Sequence, residues 1–181
     1  GWHYNTSIYE RGAYKSAADV IKQLVDIVSK NGNLLLSIPL RADGTYDEKE
    51  AKVLDGIEEW MNINKESIIG TRPWVIFGEG PIAQKNIKMN AQGFNDKQYT
   101  GMTSAGIRFN QTKKYLYATP LGWPTDGRIV IKSLAKGNRL FRKSITKVEL
   151  LGYGSLKAKQ TTEGLEISLP SPTNAIAPVL K

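Results

Sequence analysis

A histidine, His3, and a glutamate, Glu10, are side chains able to transfer protons, and both lie among aromatic residues in the first fourteen positions. His3 is the only histidine, so a metal centre built from several histidines is excluded within this chain. The absence of cysteine excludes disulfides, thiol catalysis and thiolate metal sites. The stretch sustains neither a helical nor a strand period, so we predict a loop. Its aromatic residues are Trp2, Tyr4, Tyr9 and Tyr14.

Four aspartates of the first half occupy positions where a structural role explains them. Asp26 and Asp55 fall on helical patterns, Asp43 lies in an Asp-Gly turn, and Asp47 precedes a helical pattern. Capping or solvation explains each of them better than catalysis does.

Two predicted amphipathic helices flank a short apolar run. Ser16 can cap the first helix, in which apolar residues recur at spacings of three and four until Asn31-Gly32 ends it. The second helix begins at Asp47 and reaches about Asn62 to Asn64. Between them, Asn33 to Pro39 reads as a strand buried on both faces, which is typical of a parallel sheet covered by helices. This order predicts an α/β architecture.

The second half of the sequence has a different pattern of apolar residues. From Val75 onward apolar residues recur with period two, and turns separate short runs, which predicts an antiparallel sandwich or barrel. Residues 78–104 form a long excursion before the sheet. We therefore predict α/β followed by all-β, with residues 1–74 and 75–181 as the two parts. The predicted strand runs are 106–109, 115–119, 127–132, 144–151, 156–160 and 164–169.

The formal net charge of +8 belongs to the second part. Residues 1–74 hold 9 Lys and Arg against 11 Asp and Glu, whereas residues 75–181 hold 16 against 6. We interpret the densest basic cluster as a solvated face rather than a nucleic-acid site, with a polyanion-binding surface as the alternative. No stretch approaches the apolar length of a membrane span, and the first residues lack a secretory signal pattern. The cluster comprises Lys132, Lys136, Arg139, Arg142, Lys143 and Lys147.

Five motifs across about seventy residues of the first part resemble those of the α-L-fucosidases of glycoside hydrolase family 29. Their order and spacing make the resemblance specific, whereas the second part resembles that family only in architecture. The motifs are Gly1-Trp-His-Tyr-Asn, Tyr14-Lys-Ser-Ala, the stretch from Leu24 to Pro39, Ala42-Asp-Gly-Thr and Gly70-Thr-Arg-Pro-Trp.

The resemblance implies that residues 1–74 are the closing portion of a (β/α)8-type barrel, with Asn33 to Ile38 as its last strand. It also implies that the chain starts in the middle of a protein, whose missing N-terminal barrel portion carries the nucleophilic aspartate. The expected substrate is a glycan with a terminal α-L-fucosyl group, no cofactor is expected, and family analogy places the protein in the periplasm or outside the cell.

The resemblance further implies a retaining mechanism, which uses two carboxyl groups about 5 Å apart. Glu10 is the candidate acid/base of this chain, and the alternative is a surface glutamate beside Arg11. Trp2 and Tyr4 either stack on the sugar or plug the barrel mouth. His3 is either a hydrogen-bonded structural residue or a contact near the leaving group. A function of another class, a non-catalytic carbohydrate-binding or scaffolding sandwich, remains the rival hypothesis.

Overall fold

A computed structural model describes residues 3–81, 83, 102–172 and 176–181, which form three α-helices followed by eight short strands. None of the described helices is both long and apolar enough to cross a lipid bilayer. The helices are α1 (Thr6–Arg11), α2 (Ala17–Ser29) and α3 (Glu48–Asn64).

The two long helices begin where the sequence predicts. The Ser16 hydroxyl accepts a hydrogen bond from the Asp19 amide, and the Asp19 carboxylate accepts one from the Ser16 amide, which completes a capping box for α2. Helix α2 ends at Ser29, and Asn31, two residues later, has a left-handed φ of 65°. A larger residue at the next position would be crowded, because a Cβ on Gly32 would lie 2.9 Å from Ile27 Cγ2. Both helical predictions are therefore confirmed.

The predicted loop over residues 1–14 is wrong for its central part, because Thr6 to Arg11 form α1. The side chain of Asn5 accepts a hydrogen bond from the Ser7 amide and caps the helix. Gly12 ends it with a left-handed φ of 59°. These two caps stabilise a helix of only six residues, whose sequence has no apolar period from which the helix could be predicted.

The predicted buried strand from Asn33 to Pro39 is also not found. The segment pairs with no described strand, and the Leu35 and Leu36 side chains are 78% and 40% exposed. A strand requires a neighbour for its backbone groups and a cover for its apolar side chains. No described residue supplies that neighbour, so this apolar run is only partly covered, with Leu34 and Ile38 half-buried and Leu35 and Leu36 exposed.

The strands form two antiparallel three-stranded sheets and a small hairpin. The first sheet has the order β1-β2-β3, the second has the order β4-β8-β7, and β5 pairs with β6. Leu180 joins the first sheet to the hairpin by bridging Ala118 and Leu150. The strands are β1 (Arg72–Glu79), β2 (Ile107–Gln111), β3 (Leu116–Pro120), β4 (Arg128–Ile131), β5 (Glu149–Leu150), β6 (Gly154–Ser155), β7 (Ala158–Gln160) and β8 (Leu165–Ser168).

The inner faces of the two sheets enclose the main core. On β4 and β8, Ile129 faces Ile167 and Ile131 faces Leu165, and all four are buried, while the alternate residues are exposed. Phe109 of β2 is fully buried in the same core. The predicted antiparallel character of this part is therefore confirmed.

Trp60 and Trp74 pack in different parts of the structure, and only Trp60 lies between the helices and the β-part. Trp60 belongs to α3, and its Nε1 donates to the Ala177 carbonyl at 2.9 Å. Trp74 instead packs inside the β-core, with its ring 5.1 Å from that of Phe109. Trp74 belongs to β1, a strand that the sequence does not predict and that crosses the predicted boundary between residues 74 and 75.

A buried ion pair also links α2 to the first sheet. Asp26 Oδ1 lies 2.6 Å from Arg108 Nε, and both side chains are almost completely buried. The interpretation of Asp26 as a capping or solvated residue is therefore wrong. The pair could not be read from the sequence, because its partners are 82 residues apart.

Candidate active site

The N-terminal segment is bound to the first turn of α3 through its tyrosines. Tyr9 donates from its hydroxyl to Glu48 Oε1 at 2.6 Å, and its carbonyl accepts from Lys49 Nζ at 2.6 Å. The Tyr14 hydroxyl donates to the carboxylate of Asp47. The capping residues of α3 thus also fix the aromatic segment, so the two regions position each other.

Arg41 completes this cluster from the turn that precedes α3. Its guanidinium carbon lies 5.9 Å from the ring centroids of both Tyr4 and Tyr9, a distance that suits cation–π attraction. One of its nitrogens lies 3.5 Å from Glu48 Oε2. A side-chain hydrogen bond with Tyr4 is the main reason why the pKa of Arg41 is raised. Arg41 therefore holds the half-buried ring of Tyr4 in place.

The two acidic groups at the start of α3 have opposite electrostatic surroundings. Burial alone would raise the pKa of Asp47, but hydrogen bonds from Tyr14 and from the amides of Glu50 and Lys49 outweigh it and lower that pKa. Burial, and then the neighbouring charge of Asp47, raise the pKa of Glu50. Glu50 is only 6% exposed, and its Oε2 atom has no hydrogen-bond partner among the described residues. The surroundings thus favour the ionised form of Asp47 and disfavour the ionised form of Glu50.

The Glu50→Gln variant should be more stable than the wild-type chain by about 1 kcal/mol at pH 7. Because the pKa of Glu50 is raised by folding, its ionised form destabilises the fold above that raised pKa. The penalty vanishes below the unfolded value of about 4.3, so the gain should be small at pH 3. Urea unfolding at both pH values measures it, and Glu59→Gln on the exposed face of α3 should change stability by less than about 0.5 kcal/mol. An equal gain at both pH values would contradict the electrostatic cause.

The candidate residues from the sequence are only partly brought together. Tyr4 lies in the cluster, whereas His3 is exposed and Glu10 is exposed on α1. Trp2 lies outside the described residues. The described residues contain no group of three or more His, Asp or Glu side chains arranged to hold a metal ion. Arg41 is not predicted from the sequence as a residue of this site. It follows Pro39-Leu40 in the turn, and no sequence motif around it predicts its contact with Tyr4.

Comparison with known proteins places both parts of the chain in one family. The family model described as α-L-fucosidase matches residues 1–66, and the one described as α-L-fucosidase C-terminal domain matches residues 101–181. An α-L-fucosidase of Dictyostelium discoideum is 30% identical over 171 residues, which is 94% of this chain and 30% of that protein. The chain belongs to the α-L-fucosidase family.

Other α-L-fucosidases agree in sequence and in structure. A plasma α-L-fucosidase of Rattus norvegicus is 29% identical over 153 residues, which is 84% of this chain and 28% of that protein. The crystal structure of Thermotoga maritima α-fucosidase in complex with fucose matches with a TM-score of 0.65 and 28% identity, covering 92% of this chain and 34% of that one. The chain thus spans about 30% of the length of the α-L-fucosidases that it matches.

The tyrosine and arginine cluster falls in the region shared with the α-L-fucosidase model. Tyr4, Tyr9, Tyr14, Arg41 and Asp47 all lie within residues 1–66. The antiparallel sheets from β2 onward lie within the region that matches the α-L-fucosidase C-terminal domain. The candidate site and the β-part therefore correspond to separate parts of the family's sequence.

Proposed function

We propose that this chain is part of an exo-acting α-L-fucosidase that hydrolyses terminal α-L-fucosyl linkages of glycans with retention of configuration. The observation that carries the proposal is the match of both parts of the chain, in order, to the two α-L-fucosidase family models. The Thermotoga maritima relative with a TM-score of 0.65 was solved with fucose bound, which supports the same substrate class.

We infer that residues 1–74 complete a (β/α)8-type barrel whose other strands come from additional polypeptide. The unpaired segment Asn33 to Pro39 supports this, because Leu35 is 78% exposed and would be covered by neighbouring strands and helices. The share of about 30% that the chain covers in its relatives supports it as well. Residues 75–181 are then the β-sandwich domain that follows the barrel.

The proposed chemistry requires a nucleophilic carboxylate and an acid/base about 5 Å apart. We propose that the nucleophilic aspartate lies in the additional polypeptide and that Glu10 is the acid/base. Tyr4, with Trp2, would stack on the apolar face of the sugar, and Arg41 would position Tyr4 through the contact at 5.9 Å. His3 would contact the substrate near the leaving group. Glu10 reaches solvent from α1, so it is open to a substrate that binds over this segment.

The isolated chain should show no turnover of an aryl α-L-fucoside, because the proposed nucleophile is absent from it. The measurement is release of the aryl alcohol, with the complete enzyme as the positive control. Titration of the same chain with fucosylated and non-fucosylated glycans tests the rival function. Robust turnover by the chain alone would overturn the placement of the nucleophile. Tight glycan binding without any contribution to catalysis in the complete enzyme would favour a binding module instead.

We also propose that the protein is exported to the periplasm or secreted. The support is the name of the Rattus norvegicus relative, a plasma α-L-fucosidase that is 29% identical to this chain.

A further inference from the structure

A cavity of about 360 Å³ opens between the two sheets of the β-part. Its walls come from the inner faces of β3, β4 and β8 and from the irregular segment 141–148 that precedes β5. The apolar side chains that line it are mostly aliphatic. They include Leu116, Ile131, Ile145, Leu165 and Leu180, with Phe141 at one side.

The cavity is open to solvent at its mouth and closed at its floor, where Ile131 and Leu165 are 0% and 3% exposed. Leu116, Phe141 and Ile145 are half-buried and form its accessible apolar wall. Pockets for small ligands commonly measure roughly 300–1,000 Å³ and are lined mainly by apolar side chains with a few polar groups. The volume of the cavity falls within the range of a ligand site.

The mouth of the cavity is strongly cationic. Four lysines line it against a single acidic residue, Glu149. Lys147 pairs with Glu149 at 2.5 Å, and Lys181 pairs with Glu66 at 3.0 Å. The other two, Lys114 and Lys143, are exposed and form no ion pair with any described residue. Two positive charges thus stand beside an apolar opening without an ion-pair partner in the described part of the chain.

We propose that this cavity binds an amphipathic anion, namely a single aliphatic chain that ends in a carboxylate. The chain would displace water from the aliphatic walls, at about 25 cal/mol for each Å² of apolar surface removed from water. The carboxylate would remain at the mouth beside Lys114 and Lys143, where it keeps part of its hydration. A flexible chain suits the irregular space between Leu116 and Ile145, because it can adopt the shape of the gap.

An aliphatic chain suits the apolar wall of this cavity better than a sugar does, although Tyr115, Ser144 and Thr146 supply hydroxyls at its rim. Sugar hydroxyls lose their hydrogen bonds to water when they enter an apolar space, and each unpaired polar group is costly. The buried lining residues, such as Ile131 and Leu165, offer no side-chain donor or acceptor. The site is therefore separate in chemistry from the fucoside site proposed above, and its test does not depend on glycosidase activity.

The test is calorimetric titration of the chain with three ligands of equal chain length, namely decanoate, decanol and decyltrimethylammonium, below micelle-forming concentrations. The three ligands differ only in the head group and its charge. Decanoate should bind tightest and the cation weakest, because the lysines at the mouth attract the anion and repel the cation. Methyl NMR with labelled decanoate should give NOEs to the half-buried Leu116 and Ile145. Equal binding of decanoate and the cation, no binding of decanoate, or NOEs only to exposed residues would each overturn the proposal.

Charge variants supply the matched control. The double variant Lys114→Glu/Lys143→Glu should weaken decanoate binding about fivefold to tenfold, because both changes act on exposed charges at the mouth. The double variant Lys157→Glu/Lys159→Glu changes the net charge equally on an exposed surface that does not line the cavity, and it should leave binding unchanged. Circular dichroism confirms that both variants are folded. If both double variants weakened decanoate binding equally, the effect would be one of net charge alone, and the proposed site would be wrong.

Discussion

Replacing Asp26 with alanine is expected to lower the free energy of unfolding by about 3–5 kcal/mol, the usual cost of leaving a buried charge without its partner. The charge left behind is that of Arg108, whose side chain is 0% exposed and whose Nε lies 2.6 Å from Asp26 Oδ1. Urea unfolding of the chain, followed by far-UV circular dichroism, measures the change. The loss should appear as a lower midpoint with an unchanged slope.

The surroundings of Arg108 explain why the loss should be large. Its Nη2 atom is buried without a hydrogen-bond partner among the described residues, and its Nη1 donates only to the Ile107 carbonyl, at 3.2 Å. The Phe77 ring, 5.6 Å from the guanidinium carbon, offers a cation–π contact but no hydrogen-bond acceptor. Asp26 is therefore the main group that compensates this buried cation.

Two further variants separate the buried pair from the rest of the cluster. Lys30→Ala removes the second partner of Asp26, which lies at 2.7 Å but is 46% exposed, and should cost no more than about 1 kcal/mol. Asp26→Leu combined with Arg108→Met removes both charges and should recover most of the loss. If Asp26→Ala costs no more than Lys30→Ala, the pair does not hold α2 to β2 in solution.

The helices could be predicted from the sequence because their signals are local. Ser16 with Asp19, and Asp47 ahead of a helical period, specify the two starts within a few residues of chain. The Asp26–Arg108 pair carries no such signal, because each residue on its own looks like an ordinary charge on a helix or a strand. Pairing of two residues that are 82 positions apart is a property of the tertiary structure, so it can be seen only in the folded chain.

The prediction for the segment from Asn33 to Pro39 fails for the opposite reason: the sequence signal is strong, but the predicted strand is not formed. The composition of this segment specifies a buried strand clearly, yet burial depends on neighbours, and in the described part of the chain they are absent. A similar limit applies to the site: Tyr4 could be proposed from its type, but Arg41, which contacts it at 5.9 Å, could not. Residue type predicts what a side chain can do, whereas its partners depend on the fold.

In the complete enzyme, the Glu10→Ala variant should lose about 10²–10⁴-fold in kcat on a natural fucoside, which is the usual contribution of a general acid. On an aryl fucoside with a good leaving group kcat/KM should fall much less, because that oxygen departs without protonation, whereas kcat should still fall because Glu10 no longer activates the water that releases the fucosyl-enzyme. On the aryl fucoside, added azide should restore kcat and yield a fucosyl azide, since the small anion can replace the water that Glu10 would otherwise activate. Steady-state kinetics with the two substrates, with and without azide, measure these effects.

Glu59→Ala is the matched control, because it removes an equally exposed carboxylate from α3 and should leave kcat unchanged on both substrates. The exposure of Glu10 on α1 makes the experiment decisive, since a surface residue beside Arg11 can be removed without disturbing the core. The Arg11 Nε donates to the Ser7 carbonyl at 3.0 Å, so α1 keeps this contact in the variant. Normal activity of Glu10→Ala on the natural fucoside, with no response to azide, would assign Glu10 to the surface and place the acid/base elsewhere.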